Sequence, residues 1–271
     1  MKKTIIAFLT LCILAVVPAI AHDLFLKPNN FFVKVGSKVS ISILNGSFLA
    51  SEGAVSYSRL SDLSVVPPGG KRTKPAESDF TKDKVTAFLN LAPGEAGTYL
   101  VGLSTMPREI DLKGADFNEY LEHDGTPHIL AERKAKKELD KAVRERYSKH
   151  VKTIFQVGDV RTGNYKTVLG YPVELVPQAN PYELKPGDTI DILCLKDGKP
   201  LANQFVMSGR EGAAGKIITG ENVRSDEDGV ARVKLAGPGK WYVRFIEMSP
   251  AKDPKLNYES KWATLTFEIK K

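Results

Sequence analysis

The sequence predicts a mainly β protein built as two tandem immunoglobulin-like or transthyretin-like β-sandwiches with a helical insert between them. Three observations carry this. Apolar and polar residues alternate with period two in many short runs separated by Gly- and Pro-containing turns, the pattern of strands with one buried face. The first of these runs, "FFVKVGSKVSISILNG" (31–46), has a counterpart in "PYELKPGDTIDILCLKDG" (181–198). Between the two halves lies a stretch of different composition, rich in charge and in helix formers.

The chain opens with Lys2 and Lys3, an apolar run Ile5–Val17 and the small-x-small triplet Ala19-Ile20-Ala21. That order reads as a cleaved secretory signal over 1–21, because the apolar run is too short to span a bilayer. Export to the periplasm is the expected destination. Of the two cysteines, Cys12 falls within the signal and Cys194 stands alone in "IDILCLK", so no internal disulfide is expected. The formal net charge of +7 includes the two signal lysines; outside the cytoplasm, a positive balance reads as solubility or attraction to anionic surfaces. About 250 remaining residues suffice for one large core or two ordinary ones.

The N-terminal sandwich is expected over 22–106. Aligning Gly36 with Gly187 places Val39, Ile41 and Ile43 opposite Ile190, Ile192 and Cys194. Upstream, "LKP" (26–28) matches "LVP" (175–177); downstream, "VTAFLNLAPGEAGTYLV" (85–101) matches "GVARVKLAGPGKWYV" (229–243). Tyr99 occupies the place of a sandwich-corner tyrosine, with Trp241 and Tyr242 in the corresponding place of the second half.

The insert is expected over 107–157. "ADFNEYLEHDG" reads as a short helix ending at Gly125, and Thr126-Pro127 as the start of a second. A stripe of Leu139, Val143, Tyr147, Val151 and Ile154 predicts that this second helix continues to about Phe155. The pairs Glu132–Lys136, Lys134–Glu138, Asp140–Arg144 and Lys141–Glu145 would line its exposed face. The C-terminal sandwich follows over 158–271, with Asp226-Glu227-Asp228-Gly229 as a hairpin turn rather than a calcium loop.

Several motifs stand in a recognisable order: "AHDLFLKP", "FNEYLEHDG", "RERYSKHVKTIFQVG", "LGYPVELVPQANPYELKPGD" and "YESKWATLTFEI". Together they resemble a family of bacterial periplasmic proteins of unknown function associated with nickel or cobalt transport (NikM-like), over about 22–269. The resemblance implies handling of a divalent transition metal outside the cytoplasm, together with metal-uptake transporter components in the membrane. The chain departs from the family pattern at His123 and His150, where that pattern is acidic and aromatic respectively.

The residues themselves supply a chemistry for such a role. Cleavage after Ala21 makes His22 the amino terminus, whose α-amine and ring Nδ1 can chelate one ion together. Their protons leave at pKa values of about 8 and about 6.5, so a divalent metal displaces them near neutrality. Ni²⁺, Co²⁺ and Cu²⁺ suit such nitrogen donors, Cu²⁺ binding tightest. Cleavage after Ala19 would instead leave histidine third from a free amine, which is another square-planar copper or nickel terminus. His123, Asp124 and His128 bracket the turn "LEHDGTPH" and are the candidate partners, although an exposed histidine beside a helix cap is the plain structural alternative for each. His150, beside the apolar stripe, reads as a packing or an exposed residue rather than a ligand.

No nucleophile elbow, phosphate loop, His-Glu-x-x-His or Cys-x-x-Cys is present, and the chain reads as a non-enzyme. The expected function is a periplasmic accessory protein binding Ni²⁺ or Co²⁺ for uptake. Two other classes compete with it: a copper-dependent oxidase using the terminal histidine with His128, and a non-catalytic adhesive sandwich binding protein or carbohydrate.

Overall fold

In a computed structural model of the chain, residues 22–212 and 215–270 are described; the signal segment, with Cys12, lies outside them. The first half contains β1 (Asp23–Pro28), β2 (Phe32–Val33), β3 (Val39–Gly46), β4 (Leu60–Val66), β5 (Phe80–Lys82), β6 (Ala87–Leu91), β7 (Gly97–Thr105) and β8 (Arg108–Leu112). Two helices follow, α1 (Gly114–His123) and α2 (Pro127–Ala135), and then the long strand β9 (Val143–Val157). The second half adds β10 (Val173–Pro177), β11 (Thr189–Lys196), β12 (Lys199–Pro200), β13 (Phe205–Glu211) and β14 (Ile217–Thr219). It ends with β15 (Val223–Arg224), β16 (Val230–Lys234), β17 (Gly239–Pro250) and β18 (Tyr258–Ile269).

The architecture is mainly β and sandwich-like, in three layers. A ten-stranded sheet runs β14-β13-β17-β18-β9-β7-β4, with β15 on β13 and with β2 and β8 on β9. One four-stranded sheet, β1-β3-β6-β5, covers one face; another, β10-β11-β12 with β16 on β11, covers the other. The alternation of side chains along the central strands fixes this two-sided arrangement. On β7, Tyr99, Val101 and Leu103 join the core under the first outer sheet, whereas Leu100 joins the core under the second. On β9, Val151, Phe155 and Val157 point one way and Ile154 the other.

The internal repeat is visible as matched pairing in the two outer sheets. Val39, Ile41 and Ile43 are buried on β3, as Ile190, Ile192 and Cys194 are on β11. Pro28 lies opposite Ile41, and Pro177 lies opposite Ile192. Gly36 and Gly187 both adopt positive φ (78° and 98°) in the turns before these strands, a conformation glycine takes without strain. Tyr99 closes its corner, its hydroxyl donating to the Glu95 carbonyl (3.0 Å) and accepting from the Glu95 amide (3.2 Å). Trp241 Nε1 does the comparable service by donating to the Gly237 carbonyl at 3.0 Å. Asp226 Oδ1 accepts from the amides of Asp228 and Val230, so its turn is a hairpin held by its own acid.

The helical expectation fails beyond residue 135. α1 and α2 lie where "FNEYLEHDG" and Thr126-Pro127 place them, but α2 stops at Ala135 and residues 143–157 form β9. Glu132–Lys136 pairs at 2.5 Å, whereas Lys141 pairs with Glu138 and Arg144 with Glu109, as a turn and a strand require. Arg133 ends the helix. Its buried guanidinium donates to the carbonyls of Glu138 (2.6 Å) and Lys141 (3.0 Å), fixing the turn into β9. β9 pairs with β18 in parallel and with β7 antiparallel, so it is a central strand, and its second half packs into both cores, Ile154 into one and Val151, Phe155 and Val157 into the other. Strands so covered lack alternation, and here buried polar residues interrupt the apolar run as well.

α1 and α2 pack as a hairpin on one end of the central sheet. Phe117, Tyr120, Leu121, Ile129 and Leu130 meet Ile246, Met248, Tyr258 and Trp262 there. The start of β1 comes to the same end, which sets up the site.

Candidate functional site

β1 and β3 pair antiparallel with Asp23 opposite Gly46, so His22 stands beside the loop that follows β3. That loop folds back through a bridge between Gly46 and Ser51. Gly46 is needed for the fold-back, because a Cβ there would lie 2.6 Å from the Ala50 carbonyl. The return carries Glu52 onto His22, with Glu52 Oε2 2.6 Å from His22 Nε2. The His22 carbonyl accepts from Lys149 Nζ of β9, which also donates to Asn45 Oδ1 at 3.1 Å. The first residue of the β1 segment is thus held at its ring and at its carbonyl.

The next residue, Asp23, enters a buried charged layer beneath the helical hairpin. Arg244 of β17 donates to Asp23 (3.1 Å) and to Asp124 at the end of α1 (3.0 Å), and also to the His123 carbonyl (3.4 Å). One guanidinium thereby serves two carboxylates. Burial pushes the Asp124 carboxyl up to about 6 against the pull of Arg244, and burial raises Asp23 too. Burial also drives Lys149 down to about 8, although Asp23 draws it back up. Glu145, four residues before Lys149 on the same face of β9, is pushed up to about 7 by burial. It accepts from the hydroxyls of Tyr120 (3.2 Å) and Ser260, and its Oε2 has no partner among the described residues. Displaced titrations cluster at functional sites and also in structural ion-pair networks such as the one around Arg244.

Of the predicted metal residues, Asp124 therefore comes to the same buried layer as the start of β1. It does so as an ion-pair partner of Arg244. His123 and His128 are exposed, and His123 joins the layer only through its backbone carbonyl. Among the described residues no three His, Cys, Asp or Glu side chains converge as a ready-made metal cage. The side chain that does reach His22, Glu52, carries no sequence signal of its own. Only the β1–β3 register and the tight "NGS" turn would locate it.

The opposite face of β9 holds a second polar cluster. His150 is 3% exposed, with Nδ1 2.9 Å from Ser104 Oγ and Nε2 3.0 Å from Ser148 Oγ; Ser104 Oγ in turn accepts from Ser61 at 2.9 Å. These residues border a cavity of about 400 Å³ that also meets Asp62, Arg72 and Tyr171. No carboxylate touches the ring, and burial pushes His150 down to about 4. An imidazole that resists protonation this strongly is a poor general base near neutrality.

It is instead a stability element with a predictable pH signature. The folded state holds His150 neutral while the unfolded chain titrates near 6.5, so stability is fully present above 6.5 and falls as pH drops toward 4, by on the order of 3 kcal/mol. Glu145 has the opposite sign, since its folded carboxyl keeps a proton up to about 7 that the unfolded chain releases near 4.5. Urea midpoints at pH 7.5 and 5 separate the two. His150→Gln should flatten the acid-side loss, and Glu145→Gln should steepen it.

The fold, the repeat and the charged layer at one end define a class: a three-layered β-sandwich protein with a shared central sheet and a helical hairpin over its polar end. The chain belongs to a family described as a domain of unknown function (DUF4198), which matches residues 19–248. No curated protein matches it. Among solved structures, it is similar to a DUF4785 family protein from Legionella pneumophila, at 8% identity and a TM-score of 0.23, over 91% of this chain and 46% of that one. It is similar also to a marsupial T cell receptor, at 11% identity and a TM-score of 0.21, over 90% of this chain and 73% of that one. A third is the tetra-tandem repeat in the extending region of a large adhesion protein, at 11% identity and a TM-score of 0.21, over 91% of this chain and 49% of that one. The chain spans about half the length of the first of these.

Proposed function

We propose that the protein is exported to the periplasm, is cut after Ala21, and binds a divalent transition metal, Ni²⁺ or Co²⁺, through the new amino terminus for delivery to a membrane uptake transporter. The metal is cargo in this reading. One observation carries it: Glu52 engages His22 at Nε2, 2.6 Å away, and so leaves Nδ1, the nitrogen that shares a five-atom reach with the α-amine. A carboxylate on the far ring nitrogen orients a ligating imidazole and raises its basicity. The hold of Lys149 on the His22 carbonyl fixes the same residue from the other side.

Two nitrogens leave coordination positions open, and an open, partly solvated site suits an ion that must be passed on rather than kept. Asp23 and Asp124 lie close by, but both are spent on Arg244. The copper-oxidase alternative needs a second histidine ligand, and the exposure of His123 and His128 gives it no support. Nickel and cobalt titrations of the processed protein, followed calorimetrically, test the proposal. Glu52→Gln is expected to weaken binding by about 10- to 100-fold, and His22→Ala by a larger factor. Equal affinity in His22→Ala and the parent protein would overturn it.

A further inference from the structure

A cavity of about 120 Å³ opens between β1, β3, β7, β8, β9 and the segment before β4, and Lys149, which reaches the His22 carbonyl, is in its lining. Its lining includes three cationic side chains, Arg59, Arg108 and Lys149, together with the polar side chains of Ser56, Thr105 and Tyr147, and no acidic side chain. The volume is well below the ~300 Å³ at which drug-sized ligands begin to fit.

The charges in this cavity are not balanced from within. Among the described residues neither the half-buried Arg59 nor the exposed Arg108 pairs with a carboxylate, whereas Arg244, Lys152 and Lys196 do. Burial and the neighbouring Arg108 both push the Arg59 guanidinium downward, so the two arginines repel one another across the space. Lys149 is 5% exposed and has three donors, of which the His22 carbonyl and Asn45 Oδ1 take two. Arg59 and Arg108 are like charges facing one space with no carboxylate in its lining, and Lys149 adds a third whose carboxylate neighbours Asp23, Asp124 and Glu145 lie outside that lining; charges so placed repel unless something negative joins them.

We infer that this cavity is a binding site for one compact oxyanion, a carboxylate or phosphate group, gripped by Arg59 and Arg108 with Lys149 beneath it. Guanidinium groups present planar paired donors that match such anions bidentately. The hydroxyls of Ser56, Thr105 and Tyr147 supply further neutral donors around the rim. The site is separate from the metal proposal: its charge and size set what it takes, whether or not His22 holds an ion.

Thermal unfolding and calorimetry of metal-free protein test it, with phosphate, sulfate and acetate as probes against sodium chloride at matched ionic strength. The probes distinguish the source, because a tetrahedral-anion site favours phosphate and sulfate whereas a carboxylate site favours acetate. The parent protein should be stabilised by at least one probe beyond the chloride control. Arg59→Gln and Arg108→Gln should each weaken that binding by about 10- to 100-fold, the factor for losing a charge-assisted bond. Without probe, each variant should melt at or above the parent temperature, since repulsion is relieved; a merely structural arginine would do the reverse. Arg224→Gln, remote from the cavity, and His22→Ala should keep the full response. No stabilisation beyond chloride, or an undiminished response in the Arg59→Gln/Arg108→Gln double variant, would overturn the site.

Discussion

Glu174→Gln is expected to destabilise the fold by about 3–5 kcal/mol, the cost of breaking a buried ion pair from one side. Glu174 and Lys152 pair in the interior with side chains 1% and 2% exposed. The carboxylate also accepts from the amides of Leu169 (2.9 Å), Gly170 (2.6 Å) and Tyr171 (2.8 Å), so it organises the turn leading into β10. The Lys152 ammonium donates in addition to the Thr167 carbonyl at 3.2 Å. Burial drives Lys152 downward and Glu174 draws it back up. Removing the carboxylate charge leaves an ammonium in the core facing only neutral acceptors. Lys152→Met should cost a comparable amount for the converse reason, since it leaves Glu174 with three amides and no cation. The double variant Lys152→Met/Glu174→Gln should cost less than the sum of the two, because no unpaired charge survives. Urea denaturation of all four proteins checks this, and strict additivity would show that the pair is not a unit.

Arg244→Met carries the second large effect. Its buried guanidinium joins the start of β1 to the end of α1 through the half-buried Asp23 and Asp124. Without it, two carboxylates face each other beneath the helical hairpin. At pH 8 the expected loss is about 3–5 kcal/mol, roughly 6–20 °C in melting temperature for a chain of this size. The loss has a pH signature. Asp124 already titrates at about 6 in the folded state, and the variant lacks the charge that holds that value down. A carboxyl with a raised folded pKa stabilises the fold where it keeps its proton, so the deficit should shrink as pH falls from 8 to 5. A deficit constant across that range would mean that Arg244 acts by packing alone.

These two arrangements mark the boundary of what the sequence discloses. The internal repeat was legible because each outer sheet packs one face only, so β3 and β11 keep their alternation and their turn glycines. The first strand in "AHDLFLKP" was legible because its order is local. β9 was not. It is covered on both faces, its polar residues Lys149, His150 and Lys152 are satisfied by partners far away in the chain, and its apolar positions coincide with a helical spacing. A strand that mixes buried charges with buried aliphatics loses the strand's period, and here what was left matched a helix's. Glu52 was hidden for a related reason: the β1–β3 register brings it to His22 across 30 residues. The same blindness covers Arg244, which lies 221 residues from Asp23 and 120 from Asp124.

The two faces of β9 also explain why the histidines differ so much. His22 lies at a strand start on the hairpin side, half-buried and held by a carboxylate. His150 lies on the opposite face, sealed among hydroxyls and neutral. Only the first has a ring nitrogen left over and, after processing, an amine beside it.

The central claim is that the metal is held by the free α-amine of His22 together with its ring. The most direct test compares nickel binding by the protein beginning at His22 with the same protein acetylated at its α-amine. The side chain, Glu52 and the fold are identical in both; only the amine is blocked. The acetylated protein should lose the nickel site seen in the processed one. Equal affinity and an unchanged nickel spectrum in the two proteins would contradict it.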